Sequence, residues 1–206
     1  MPRGIVVQLI IILNILVYIL WVFAGDSDSR MQFMMDHFLV SWDLLASGHL
    51  WTLLGSVFSH NMFWHLFMNM FVLNSFGTIV ELRLGSARFL RFYLLAGIVS
   101  SFSHSWVSAW LLHQPDLPAL GASGAVSAVI LLFSLMYPKE KILLLGLIPL
   151  PAMFAAFLFI GLDIWGLSAQ AEGGGLPIGH GAHLGGAATG ILYFLAFRRG
   201  LRPNRY

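Results

Sequence analysis

The 206-residue chain contains no cysteine, so disulfides, thiolate metal centres and cysteine nucleophiles are excluded. It is also poor in charge. Only 10% of its residues are Asp, Glu, Lys or Arg, against about 25% in ordinary soluble domains. No block of like charge is present that would suit nucleic acid, and no His-Glu-x-x-His pair announces a zinc hydrolase. What the chain does have is apolar sequence: 58% hydrophobic residues and a mean hydropathy of +0.82. That composition belongs to membrane proteins.

A helix needs about 20 mostly apolar residues to cross the hydrocarbon. Six stretches approach this, over about 5–24, 62–82, 89–112, 121–137, 142–162 and 180–197. The expected fold is therefore an all-α membrane protein, a six-transmembrane-helix bundle in one domain over 1–206. The first stretch is longer than the apolar part of a signal peptide and reads as a retained span. The fifth contains Pro149 and Pro151 and is expected to be kinked.

Basic residues mark the cytoplasmic side of a membrane. With six alternating spans and a cytoplasmic amino terminus, ten of the eleven basic residues fall inside and only Arg30 outside. Both termini are then cytoplasmic, which suits a bacterial inner membrane. The connection from Gly25 to Asn61 is long and carries Trp42 and Trp51, which favour the interface. It reads as short helices lying partly submerged. The loop from Ser168 to Gly179, with three consecutive glycines, reads as mobile.

Polar residues inside spans are costly and face a bundle interior or a wet cavity. Depth follows from counting back at about 1.5 Å per residue from Arg83, Lys139 and Arg198. Asn69, His65, Ser123 and His183 then lie roughly 21, 27, 24 and 22 Å above the basic side. Four polar residues from three helices thus share one depth in the outer half of the membrane. A serine within reach of a neutral histidine is a nucleophile with its general base. His65 and Asn69, four apart, share a helix face and can both donate to a developing oxyanion. Ser123 also lies near a helix amino terminus, where free N–H groups favour negative charge. Gly121 and Gly124 flank it, while Gly186 and Gly190 follow His183 along one face, a spacing that lets two membrane helices approach closely.

Each feature has a plainer reading. Gly-x-Ser-Gly alone is common in membrane helices, paired glycines serve packing, and His65 or His183 could be an interhelical hydrogen-bond partner. His60, His65, His180 and His183 could instead hold a metal or heme. Against that stands the apparent lack of a carboxylate near His65 or His183, so no metal and no cofactor are expected. His37, His49, His104 and His113 read as loop or interface residues. Asp163 falls at the end of the fifth span, and neither it nor His180 is given a chemical role.

Together these segments resemble the rhomboid family of intramembrane serine proteases. His60 and the segment His65-Leu66-Phe67-Met68-Asn69 look like the family's histidine followed by His-x-x-x-Asn. Gly121-Ala122-Ser123-Gly124 resembles its nucleophile motif, and Ala182-His183-Leu184-Gly185-Gly186 with Gly190 its base motif. Glu81-Leu82-Arg83-Leu84-Gly85-Ser86 resembles the family's cytoplasmic end of the second span. The resemblance implies a Ser123–His183 dyad, with His65, Asn69 and the Ser123 N–H stabilising the oxyanion and His60 in support. It implies a partly submerged first loop, a fifth span acting as a lateral gate, and a glycine-rich cap. The implied partners are transmembrane protein substrates and the lipid bilayer, with no nucleic acid. A catalytically inactive relative that binds transmembrane clients is the alternative. Two departures stand out. Thr52 follows Trp51 where many members have arginine, which questions how the first loop is anchored. Ser127 occupies a position where many have an aromatic residue that stacks on the base, which leaves His183 less constrained.

Overall fold

The computed structural model describes residues 4–144 and 148–201. Helix α1 (Ile5–Ala24) opens the chain. Its first N–H groups have no helical partner of their own, and Glu81 supplies one. Val6 N–H donates to Oε1 at 3.1 Å, Val7 N–H donates to Oε2 at 2.9 Å, and Ser86 Oγ donates to Oε1 at 2.6 Å. A buried carboxylate at the positive end of a helix is thereby fully engaged.

The long connection folds into short helices, as its interrupted apolar pattern predicts. These are α2 (Asp28–Phe38), α3 (Trp42–Ala46) and α4 (Thr52–Gly55), followed by a 3₁₀ turn over Ser56–Phe58. Polar ties hold it. Trp21 Nε1 donates to Ser59 Oγ at 2.7 Å. Val40 and Ala119 exchange both backbone hydrogen bonds, at 2.9 and 2.8 Å. Thr52, fully buried, donates from Oγ1 to His49 O at 2.6 Å. The Thr52 hydroxyl fixes only its own turn; where an arginine is missing, the connection is anchored by the Trp21–Ser59 and Val40–Ala119 bonds.

Helix α5 (Phe63–Val72), a π turn (Leu73–Gly77) and α6 (Thr78–Leu84) run on as one 22-residue helix. Gly85, at φ +81°, breaks it in a conformation that favours glycine. Helix α7 (Ser86–Trp110) follows, then α8 (Ser123–Met136) and, later, α10 (His180–Leu201). Helix α8 is the centre of the molecule. Eleven of its fourteen residues are buried, so it is apolar on all sides because it has neighbours on all sides. Its closest partner is α10. The Gly186 and Gly190 positions lie directly on the Gly124 and Ala128 carbonyls of α8, where a Cβ would collide.

The fifth apolar stretch departs from expectation. Residues 142–162 do not form a kinked span. Lys141–Leu144 (β1) and Ile148–Pro151 (β2) pair antiparallel, with Lys141 opposite Pro151 and Leu144 opposite Ile148. Proline lacks the N–H a helix interior needs, but a two-stranded ribbon has free edges where it is tolerated. Pro151 then precedes α9 (Ala152–Ala171), whose first N–H groups are met by backbone carbonyls: Ala152 N–H donates to Glu140 O at 2.7 Å and Met153 N–H to Pro138 O at 3.3 Å. The helix is displaced about ten residues toward the carboxyl terminus, and Ser168 lies inside it rather than in a loop. Among the described residues the protein is therefore mostly helical with one small hairpin. Among the described residues, three helices are long and apolar enough to cross a membrane: Ile5–Ala24, Phe63–Leu84 and Ala152–Ala171. Their outward faces carry large exposed apolar side chains such as Leu9, Leu16, Phe157 and Trp165, the surface a lipid-facing helix requires.

Candidate active site

Ser123 is the first residue of α8, so its N–H belongs to the free end of that helix. The approach to it is closely packed. Gly121 sits at φ +127° with the His65 ring where a side chain would be. Gly121 N–H donates to Ser56 O at 2.9 Å, and Ala122 N–H faces His60 Nε2 at 3.5 Å. His60 thus supports the loop that leads into Ser123. It is fully buried, and burial, with the charge of nearby His65 adding to it, pushes its pKa down to about 3.

His183 lies one turn into α10. Its Nε2 is 2.9 Å from Ser123 Oγ. Close glycine-mediated contact of α8 with α10 brings the two together, as the Gly186–Gly190 spacing predicts. Gly124 adds to this: a Cβ there would collide with Ser100, whose Oγ donates to Ala182 O at 3.0 Å and pins the start of α10.

The expectation that no carboxylate reaches His183 is wrong. Asp163 Oδ1 lies 3.0 Å from His183 Nδ1 and 2.7 Å from His180 Nδ1. The displacement of the fifth helix explains this. Asp163, assigned from sequence to the end of a span, falls in the middle of α9, buried and turned toward α10. A carboxylate only accepts, so each imidazole facing it carries its hydrogen on Nδ1. His183 Nε2 is then a bare acceptor aimed at the Ser123 hydroxyl. The arrangement is Ser–His–Asp, not a dyad, and His180 is the second donor to the same oxygen.

The concern over Ser127 also resolves differently. Ser127 Oγ donates to Ser123 O at 2.8 Å and braces nothing on His183. Phe159, four residues before Asp163 and so on the same face of α9, stacks on the His183 ring with centroids 5.7 Å apart and planes at 28°. Two side chains of one helix therefore fix the ring.

His65 and Asn69 line the same cavity as Ser123 and His183, a space of about 670 Å³ that also reaches Ser100, His104 and Ile178. Asn69 Nδ2 donates one hydrogen to His65 O at 2.9 Å, which leaves its second for a ligand. His104 is not a loop residue. It is buried within α7, with Nε2 3.1 Å from Leu117 O, and holds the chain that leads to Gly121. Over the cavity, the loop after Ala171 is tied down by Gln170, whose Nε2 donates to Leu176 O at 2.7 Å and Ile178 O at 2.8 Å. Sequence reasoning missed Asp163 and Phe159. The available signal was an acidic residue four positions after an aromatic one in an apolar segment, following two prolines that mark a helix start.

A serine hydroxyl against a tautomer-fixed histidine, with His65 and Asn69 lining the same cavity, is an arrangement able to support acyl transfer. The Rhomboid domain family model matches residues 47–200, and the chain belongs to the rhomboid family of membrane proteins. It is similar to RHOMBOID-like protein 12, mitochondrial, of Arabidopsis thaliana, at 35% identity over 93% of this chain and 58% of that protein. It is 34% identical to Rhomboid protein 1, mitochondrial, of Saccharomyces cerevisiae, over 93% of this chain and 53% of that protein. To the human presenilin-associated rhomboid-like protein, mitochondrial, it is 32% identical over 89% of this chain and 46% of that protein. The chain spans about half the length of these relatives.

Proposed function

We propose that this chain is an intramembrane serine endopeptidase acting on transmembrane segments of other proteins. The observation that carries the reading is the 2.9 Å contact of Ser123 Oγ with His183 Nε2, within a cavity shared by His65 and Asn69. Ser123 Oγ attacks the scissile carbonyl as its proton passes to His183 Nε2. The imidazolium so formed keeps its Nδ1–H on Asp163, whose charge stabilises it. The oxyanion takes hydrogen bonds from His65, Asn69 Nδ2 and the Ser123 N–H. His183 gives its proton to the leaving amine, and water then hydrolyses the acyl-enzyme by the same path in reverse.

The unit is a single domain over 1–206 with six spans, formed by α1, α5–α6, α7, α8, α9 and α10. The first connection is partly submerged, and both termini lie on the side where basic residues gather. A substrate helix enters beside α9, the fifth span, under the loop that Gln170 ties down. It unwinds at the site, since helical carbonyls are already hydrogen-bonded, so small or helix-breaking residues near its outer end favour cleavage. The charge bias suits a bacterial inner membrane, while the names of the relatives point to mitochondria. Fractionation of a tagged chain decides between them.

The test is covalent labelling by a fluorophosphonate probe together with cleavage of a model transmembrane substrate. The parent labels and cleaves, while Ser123→Ala and His183→Ala do neither. A parent that stays unlabelled and inert refutes the protease and leaves the client-binding reading.

A further inference from the structure

The cluster around Asp163 does more than the proposed hydrolysis needs. One carboxylate oxygen faces two imidazole nitrogens, and potential donor atoms of Asp163, His180 and His183 all lie within 4.8 Å of one another. Asp163 and His180 are each more than nine-tenths buried. Asp163 Oδ2 has no hydrogen-bond partner, so this buried carboxylate keeps one oxygen free to add a second bond to a cation held at Oδ1.

We propose that Asp163, His180 and His183 form an inhibitory binding site for a transition-metal ion of the zinc type. Two imidazoles and one carboxylate, with a water as fourth ligand, are a donor set zinc takes in open tetrahedral sites. Magnesium and calcium, which demand six or more oxygens, are excluded by it. Zinc bonds of about 2.0–2.1 Å separate tetrahedral ligand atoms by roughly 3.3 Å. The two Asp163–His contacts stand at 2.7 and 3.0 Å, so they open by roughly 0.6 and 0.3 Å, while the two imidazole donors, within 4.8 Å of one another, draw together around the ion. The cavity reaches His183, one of the three ligands.

The consequence for His183 follows from proton bookkeeping. A neutral imidazole has one N–H and one lone pair. Metal at Nδ1 takes the lone pair there, so the proton moves to Nε2, and none is gained or lost. Nε2–H then donates to Ser123 Oγ and cannot accept its proton. A bound ion thus locks the base in the wrong tautomer without touching the serine. The inhibitory half of this proposal rests on His183 being the base; the binding half does not.

Cobalt(II) titrated into tag-free Ser123→Ala protein in detergent tests binding without activity. The expected result is the visible absorption of tetrahedral cobalt, saturating at one ion per chain, displaced by zinc and unaffected by magnesium. His180→Asn, which keeps a donor toward Asp163 but loses a ligand, and Asp163→Asn should each weaken binding at least about 100-fold, beyond what loss of an outer-shell contact costs. Absent binding, or binding unchanged in both variants, overturns the site. In the parent, zinc should lower probe labelling and cleavage at least about tenfold, reversed by EDTA, and the ratio with and without zinc should approach one in His180→Asn. Bound metal with undiminished activity overturns the inhibition. A parent inert even without metal, yet binding cobalt as above, supports the site and refutes the protease instead.

Discussion

His183 presents a bare Nε2 to Ser123 only while its other nitrogen keeps a proton, and Asp163 Oδ1, 3.0 Å away, is what keeps it there. Asp163→Asn leaves the shape intact but can present its amide to Nδ1 and reverse the tautomer. We expect kcat for the proposed cleavage to fall by about 10²–10⁴-fold with KM nearly unchanged, by analogy with loss of the orienting aspartate in Ser-His-Asp proteases; steady-state cleavage in detergent checks this. Phe159→Ala removes only the stacked ring and should cost roughly 2–13-fold in kcat, the kinetic equivalent of an aromatic contact worth about 0.5–1.5 kcal/mol. His60 gives a pH signature of a different kind. Its pKa is near 6.5 when unfolded and about 3 when buried in the native protein, so between those values the unfolded chain binds the extra proton. Its contribution to stability is complete above about pH 6.5 and is lost as the pH falls toward 3. Thermal unfolding of the parent should therefore weaken from pH 7 to pH 4 more steeply than that of His60→Gln.

Elements differ in how well the chain announces them. Helices α8 and α10 were legible because small residues repeat along one face beside the polar ones, and a membrane helix that carries Gly186 and Gly190 four apart has little other use for them. The shared depth of Ser123 and His183 then followed from counting along regular helices. The fifth segment was not legible for the same reason in reverse. A depth count assumes a continuous helix, and a hairpin over Lys141–Pro151 breaks it. Composition cannot distinguish an apolar ribbon from an apolar helix, and the ten-residue displacement is what hid Asp163 and Phe159. Close contact of α8 with α10 makes a prediction at this scale. Gly186→Ala places a Cβ against the Gly124 carbonyl and should reduce both melting temperature and probe labelling. Gly161→Ala, in a helix position with open space around it, should change neither.

At the scale of the molecule, the absence of cysteine becomes a tool. Any cysteine introduced is the only one present. Ser29→Cys in α2 and Glu140→Cys before the hairpin are both exposed positions on opposite sides of the proposed bundle. A membrane-impermeant maleimide applied to oriented vesicles should label one from outside and the other only after lysis; equal labelling of both would refute the six-span arrangement.

The hairpin and α9 carry one more consequence. Asp163 and Phe159 ride on the helix proposed to step aside for substrate, a helix only four of whose twenty residues are buried. Were α9 to swing out as proposed, His183 would lose its carboxylate and its stacked ring in a single motion. Doorway and trigger would then be one part, and the proposed protease would stand disarmed while open, safe among the many membrane helices that drift past it.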